Sequence, residues 1–335
     1  MVITSQKLIS SLGEFGLIEF IKNNNTKSKR YHNVILDIGD DCFGFSAVKN
    51  SKYVVTTDIL IENIHFKTKW ATPEQIGQKA VEVNVSDIAS MGSAQPLYLF
   101  ISIGLPKNTK TSYTKRLFKA IRKNCDKYGI HIAGGDTVGS NKLIISITLI
   151  GICKGRVITR FGAKNSDIIC VSGQFGDSGA GLDILSGKKK TLHLYEKKLV
   201  KKHLEPKAKL DIANIMLKNK INITSMTDSS DGLFKSVELL TTDCNKGAVV
   251  YLDKIPVSKE LIEFTKGNKD KKYHYALNGA EEFELVFTIN PKDKTKLQKI
   301  IPTISYIGYV DKSKKIKYFE KNNETEIKHN GYKHF

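Results

Sequence analysis

Aspartates recur in this chain at the ends of short apolar runs. Asp40-Asp41 follows a run closing at Ile38, and Asp58 follows one closing at Thr57. Asp136 stands behind Gly134-Gly135 after a third run, and Asp228 comes after Met226 and ahead of a helix expected to open near Asp231. Strand ends in α/β layers converge on one edge, where ligands usually bind. Five or six carboxylates gathered on such an edge repel one another unless cations neutralise them. The donors are oxygens, with no paired His or Cys beside them, which suits Mg²⁺: it takes a few carboxylates and completes its shell with phosphate oxygens. The pattern points to alternating strands and helices, with nucleotide phosphate bound through bridging magnesium ions. Taken singly, each aspartate is also an ordinary turn or N-cap residue; Asp228 or Ser230 suits a cap and Asp40 a turn. Asp87 resists that reading, because it lies between Val85 and Ile88 inside a largely apolar helix, where a carboxylate needs a partner.

Around these aspartates the first half alternates strand-like and helix-like stretches. Strands are expected at 34–38, at 43–48 paired with 53–57, at 97–104, at 130–133 and at 143–153. Helices are expected from Pro73 to about Met91 and from Thr111 to Tyr128, the latter stopping at Gly129. Gly and basic residues cluster at 154–165, which places a boundary between domains 1–153 and 154–335. Beyond it, strands are expected at 167–171, 223–226, 248–252, 283–289 and 305–310, with helices at 177–185, 191–218 and 231–242. The order reads as α+β or α/β in two lobes.

The 335 residues carry 53 Lys and Arg against 34 Asp and Glu, a net charge of +19. Only five of the basic residues are arginines, and base readout favours the arginine fork, so the excess reads as a lysine-coated surface or as attraction for small anions. Nucleic-acid binding keeps slight support from interleaved basic and aromatic residues at 271–275, but it leaves the ordered aspartates unexplained. Cys42, Cys125, Cys153, Cys170 and Cys244 form no Cys-x-x-Cys pair and are odd in number, which argues for reduced thiols in a cytoplasm. No apolar run reaches the ~18–20 residues of a membrane span, and no secretory signal is read at the start. P-loop, Gly-x-Gly-x-x-Gly and Gly-x-Ser-x-Gly patterns are missing. The glycine-rich 176–181 stretch suits either a phosphate loop or close packing at a helix start. His65, His131 and His203 show no metal spacing; His65, seven residues past Asp58, stays a candidate.

The ordered motifs resemble the thiamine-monophosphate kinase family, within the superfamily of aminoimidazole ribonucleotide synthetase. They run from Gly13-Glu14-Phe15 through Gly39-Asp40-Asp41-Cys42, Thr57-Asp58, His65-Phe66, Ser86-Asp87 and Gly134-Gly135-Asp136-Thr137. They continue through Arg160, Gly176-Asp177-Ser178, Ser230-Asp231-Gly232-Leu233 and Glu281 with Glu284-Leu285, to Gly331-Tyr332-Lys333-His334-Phe335. The resemblance implies ATP- and Mg²⁺-dependent phosphorylation of thiamine monophosphate to thiamine diphosphate, and an N-terminal lobe sharing a β-barrel across a homodimer. It implies magnesium ligands at Asp41, Thr57, Asp58, Asp87, Asp136, Asp228 and Asp231, ATP contacts at Gly135, Asp136, Arg160 and Ser230, and thiamine monophosphate contacts at His65, Glu281 and Tyr332. No general base is expected, and neither a nucleic-acid nor a membrane partner is implied. Departures from the family pattern fall at Val138-Gly139, where an arginine is usual, at Ser229 in place of Ile, at Glu205-Pro206 in place of Arg-Pro, and at Ala280, Glu282 and Phe283 in place of Gly, Asp and Tyr.

Overall fold

A computed structural model describes residues 16–17, 19–21, 23, 34–36, 42–187, 189 and 191–327. The chain divides into two compact units, Met1–Ile88 with Ala94–Gly155, and Ala89–Ser93 with Arg156–Phe335.

In chain order the first unit is built from β1 (Val34–Leu36), β2 (Gly44–Phe45), β3 (Lys52–Ile61), α1 (Pro73–Ser90), β4 (Gly92–Leu105), α2 (Thr111–Tyr128), β5 (His131–Gly139) and β6 (Ile144–Val157). The four long strands form one sheet in the order β3-β6-β4-β5. β3 runs antiparallel to β6, and β5 runs parallel to β4, to which α2 returns the chain. α1 starts with Pro73 behind a capping box: Gln75 N–H donates to the Thr72 hydroxyl, and Thr72 N–H donates to the Gln75 side-chain carbonyl at 3.0 Å. Ile76, Ala80, Val81, Val83, Val85 and Ile88 are all buried, and so are Lys79, Glu82, Asn84 and Ser86, so α1 is covered on most of its surface. Glu82, wholly buried on α1, is held by Lys127 Nζ at 2.8 Å and by the Tyr128 hydroxyl at 2.7 Å.

The second unit follows with β7 (Ile168–Val171), α3 (Asp177–Ser186), α4 (Leu194–Leu204), α5 (Leu210–Lys218), β8 (Ile223–Asp228), α6 (Leu233–Thr241), β9 (Gly247–Tyr251), α7 (Lys259–Phe264), α8 (Lys269–Asn278), β10 (Leu285–Ile289), α9 (Lys294–Ile300), β11 (Ser305–Asp311), β12 (Ile316–Glu320) and β13 (Asn323–Glu324). Its seven strands are ordered β13-β12-β9-β11-β7-β10-β8, with only β12 and β9 parallel among the pairs. Every residue of β8 and of β10 is buried, as expected of strands covered on both faces. Ile169, Val171, Leu233, Val237, Leu240, Val250 and Val286 fill the core of this unit.

Several expectations are corrected. The 43–48 run does not pair with 53–57: Gly44–Phe45 pairs with Val34–Leu36, and β3 pairs with β6. β3 does not end at Thr57 but continues to Ile61, so Asp58 lies inside a strand, opposite Ile147. Asp136 likewise lies inside β5, opposite Ser102. Both strands continue because a neighbour supplies hydrogen bonds beyond the aspartate, which local propensity does not register. The 191–218 stretch is two helices, broken where Pro206 removes an amide donor. The helix after Asp228 opens at Leu233, not at Asp231.

Candidate functional site

In the first unit the site starts from strand alternation. Thr56 and Asp58 are two residues apart and share one face of β3, while Thr57 belongs to the other. The Thr56 hydroxyl donates to Asp87 Oδ2 on α1. Asp58 is close enough to Asp87 to feel its charge: burial first, and Asp87 second, push the Asp58 carboxyl up to about 7. Two of the expected magnesium ligands are thus brought together, with Thr56 as a third oxygen that the motif reading missed. Thr57 faces away. Its hydroxyl donates to Ile147 O at 3.1 Å and accepts from Thr148 at 3.2 Å.

His65 sits in the turn after β3. Its Nδ1 accepts the Ile61 N–H at 3.0 Å, its carbonyl accepts from Lys79 Nζ at 3.0 Å, and the ring is half-buried. Accepting at Nδ1 leaves the neutral ring's proton on Nε2. Gly135 and Asp136 lie on β5, the strand at the other edge of the sheet from β3. A β-carbon at Gly135 would fall 1.8 Å from Ile101 O, so only glycine lets β5 keep its place on β4. Asp136 is exposed, and its Oδ1 accepts the Thr137 N–H at 2.8 Å. Asp41 lies outside the described residues, as does Tyr332.

In the second unit the turn after β8 is laced to the segment that leads into β10. Glu281 N–H donates to Ser230 O at 2.6 Å, Phe283 N–H to Ser229 O at 2.9 Å, and Ser229 N–H to Glu284 O at 2.8 Å. Asp228, Ser230, Asp231 and Glu281 are thereby gathered at one end of β8, with Asp228 buried, Asp231 half-buried and Ser230 exposed. The helix that follows has Gly232 at its N-cap and no side-chain cap bond, so neither Ser230 nor Asp231 is spent as a cap. Arg160 sits on an exposed single turn of 3₁₀ helix, Arg160–Gly162, fixed to β8 by the Met226 N–H bond to Thr159 O at 3.2 Å. A β-carbon at Gly162 would lie 1.9 Å from Thr224 O, so the turn that presents Arg160 depends on glycine there.

Beside the turn after β8 lie two buried carboxylates that the motif reading left without a role. Glu282 Oε1 accepts from Gly176 N–H at 2.8 Å and Ser178 N–H at 2.9 Å, at the start of α3. These bonds take up the amides of the glycine-rich stretch, so its start serves packing and not a phosphate. Burial lifts the Glu282 carboxyl to about 8, against the pull of Lys202. Glu284 accepts from Ser172 Oγ at 2.7 Å and is bridged by Lys202 Nζ at 2.9 Å and Lys209 Nζ at 3.1 Å. Burial opposes its ionisation, but the two lysines and the hydroxyl outweigh it and hold the carboxyl below its usual range. Departures from the family pattern at 280–283 were the signal available for Glu282. The lysines carried none, being two among many.

The basic and aromatic run at 271–275 lies on α8, where Tyr273 is buried and its hydroxyl donates to Glu320 at 3.1 Å, while Tyr275 donates to Asp183 at 2.6 Å. These rings serve packing and not an exposed stacking platform. Among the described residues no group of three or more His, Cys, Asp or Glu side chains is arranged to hold a metal ion. What the first unit offers is an all-oxygen pair, Asp58 and Asp87, whose own charges oppose joint ionisation. That donor set fits Mg²⁺, which takes one or two carboxylates and fills its remaining positions with water and substrate phosphate.

The family model described as AIR synthase related protein, N-terminal domain, matches residues 39–153, and the corresponding C-terminal domain matches 164–321. A thiamine-monophosphate kinase of Buchnera aphidicola subsp. Schizaphis graminum is 36% identical to this chain, covering 96% of it and 98% of its own length. The solved complex of AaThiL with AMPPCP and TMP matches at a TM-score of 0.76 and 31% identity, covering 99% of this chain and 100% of that one. The thiamine-monophosphate kinase structure from Stenotrophomonas maltophilia K279a matches at a TM-score of 0.81 and 26% identity, covering 93% and 98%.

Proposed function

This chain belongs to the thiamine-monophosphate kinase family, and from that premise we propose that it transfers the γ-phosphoryl group of ATP to thiamine monophosphate, releasing ADP and thiamine diphosphate. The observation that carries the reading is the Asp58–Asp87 pair, two neighbouring carboxylates in an all-oxygen setting that suits a divalent cation. Asp58 and Asp87, with Asp136 and Asp41, are the proposed magnesium ligands of the first unit, and Asp228 and Asp231 those of the second. Mg²⁺ bound there neutralises phosphate charge and orients the transferring group.

The acceptor is itself a phosphate monoester with a second pKa of about 6, already a dianion at neutral pH, so the transfer needs no general base. One of its oxygens attacks the γ-phosphorus in line, and the bond from that phosphorus to the β-phosphate oxygen breaks. The obstacle is electrostatic: unit charges 4 Å apart repel by about 4 kcal/mol at an effective dielectric of 20, and each phosphate carries more than one. Arg160 lowers that repulsion by pairing with ATP phosphate, and the backbone at Gly135 with the Ser230 hydroxyl donates to the nucleotide. His65, through Nε2–H, and Glu281 bind thiamine monophosphate; Tyr332 is assigned the same role from its motif alone.

Pairing through the first unit in a homodimer completes the proposal. Its support is the outer face of β3, a strand at the edge of its sheet, where Val55 is 63% and Ile59 48% exposed. The proposed setting is the cytoplasm; no described helix is long and apolar enough to cross a membrane. The test is incubation with ATP, Mg²⁺ and thiamine monophosphate, with chromatographic detection of the diphosphate. Product that depends on all three is expected. No product, together with thermal stabilisation by an oligonucleotide and none by Mg²⁺–ATP, would transfer support to a nucleic-acid-binding role.

A further inference from the structure

Glu281, assigned a substrate contact above, is held in a conformation that side chains avoid. Its φ is 60°, and Phe283 two residues on has φ 52°. Both lie in the left-handed region, where a β-carbon crowds the backbone, and such residues persist only where their surroundings over-determine them. Here the constraints can be named. The backbone of 281–284 is laced to 229–230. Glu282, between the two strained residues, is pinned on the amides that open α3. The third constraint acts on the Glu281 carboxylate itself, whose Oε2 lies 3.3 Å from His203 Nδ1.

His203 lies in the last turn of α4 and is 5% exposed. Its Nδ1 is also 3.1 Å from the hydroxyl of Ser178, which is fully buried. A ring nitrogen is a donor when it carries a proton and an acceptor when it does not. A bare Nδ1 would accept from Ser178 and turn a lone pair toward the carboxylate. A protonated Nδ1 donates to Glu281, and the Ser178 hydroxyl can direct its hydrogen elsewhere. An ionised carboxylate only accepts, so the pair is satisfied in the second arrangement. Ser178 also gives its backbone N–H to Glu282, so one residue of α3 touches both His203 and Glu282.

We propose that His203 is a positioning residue: its Nδ1–H holds the Glu281 carboxylate in the orientation in which it meets thiamine monophosphate. The inference rests on the kinase reading and adds to it a residue that carries no substrate contact of its own. The expected signature is a change in acceptor affinity with the chemical step preserved.

The test uses the full-length chain with steady-state kinetics in both substrates. His203→Ala should raise KM for thiamine monophosphate about tenfold, with kcat within about threefold and KM for ATP unchanged. His203→Asn, whose amide N–H can stand near the Nδ1 position, should recover most of that loss. Glu281→Gln should raise the same KM, and adding His203→Ala to it should raise it no further, because both changes remove one interaction. If His203→Ala does not fold, the Asn variant and the Glu281→Gln comparison still decide. An active wild-type protein whose His203 variants keep the acceptor KM, or lose kcat and thermal stability together, overturns the inference alone. A wild-type protein that leaves thiamine monophosphate unphosphorylated overturns the kinase reading and this inference with it.

Discussion

Asp58 in the first unit and Glu284 in the second are both carboxylates removed from bulk water, and their surroundings oppose each other. Around Glu284 the fold supplies the counter-charges, Lys202 at 2.9 Å and Lys209 at 3.1 Å, with a hydroxyl on the second oxygen. The carboxyl is held below its usual range, and Lys202 is in turn held charged despite its burial. Around Asp58, burial and a second carboxylate both push toward protonation. A carboxylate neutralised from within the chain supports structure. One set against another carboxylate stores an electrostatic cost that an added cation relieves. The contrast separates Glu284, a residue of the scaffold, from Asp58, a residue of the proposed site.

The sharpest way to break this comparison is to neutralise each acid in turn. Asp58→Asn should lower kcat/KM by about a thousandfold, in line with removal of a preorganised electrostatic contact, while the melting temperature stays level or rises. Asp231→Asn should behave likewise in the second unit. Glu284→Gln should do the reverse, costing about 3–5 kcal/mol of stability because Lys202 and Lys209 lose their counter-charge. By denaturant titration this is the larger structural effect. If Glu284→Gln left stability intact and removed activity, the contrast would fail.

A smaller effect concerns pH in metal-free protein. The Asp58 carboxyl titrates near 7 when folded and near 3.8 when unfolded, so between those values the native state binds more protons than the unfolded one. Stability from this group is therefore complete below about pH 4, falls as pH rises through 7 and then levels off, by about 1–2 kcal/mol after allowance for solvent screening. Thermal melts across pH should show the decline, Mg²⁺ should offset it, and Asp58→Asn should flatten it. A further change of the same sign is expected at Glu282, whose carboxyl is raised to about 8, so stability from this group falls as pH rises between its ordinary value of 4.5 and 8. Glu282→Gln keeps an oxygen for the Gly176 and Ser178 amides and should flatten that part of the profile.

How much of this was legible beforehand differs between elements. The helix carrying Asp87 declared itself through Pro73 and the apolar positions that recur from Ile76 to Ile88. β7 and β10 were visible as apolar runs bounded by polar residues. The extent of β3 was not, since an aspartate in a strand looks like a terminus until its partner, β6, is known to run past it. The same blindness hid the faces: Thr57 belongs to the motif, but alternation puts Thr56 beside Asp58, and only the direction of α1 says which face matters. In the second unit, Asp228, Ser230 and Asp231 were readable as neighbours in sequence. Their link to Glu281 comes from backbone bonds spanning about fifty residues, which carry no local signal. His203 showed no metal spacing; its meaning lies in a 3.3 Å approach to Glu281.

The central claim is that the Asp58–Asp87 pair takes its neutralising charge from a divalent ion. Calorimetric titration of Mg²⁺ into the protein saturated with a non-hydrolysable ATP analogue, for wild type and Asp58→Asn side by side, tests it most directly. Binding in the wild type that strengthens as pH rises through about 7, because the ion displaces the Asp58 proton, and at least one fewer ion bound in the variant, is the expected result. Equal stoichiometry and equal affinity in the two proteins at every pH would contradict the account.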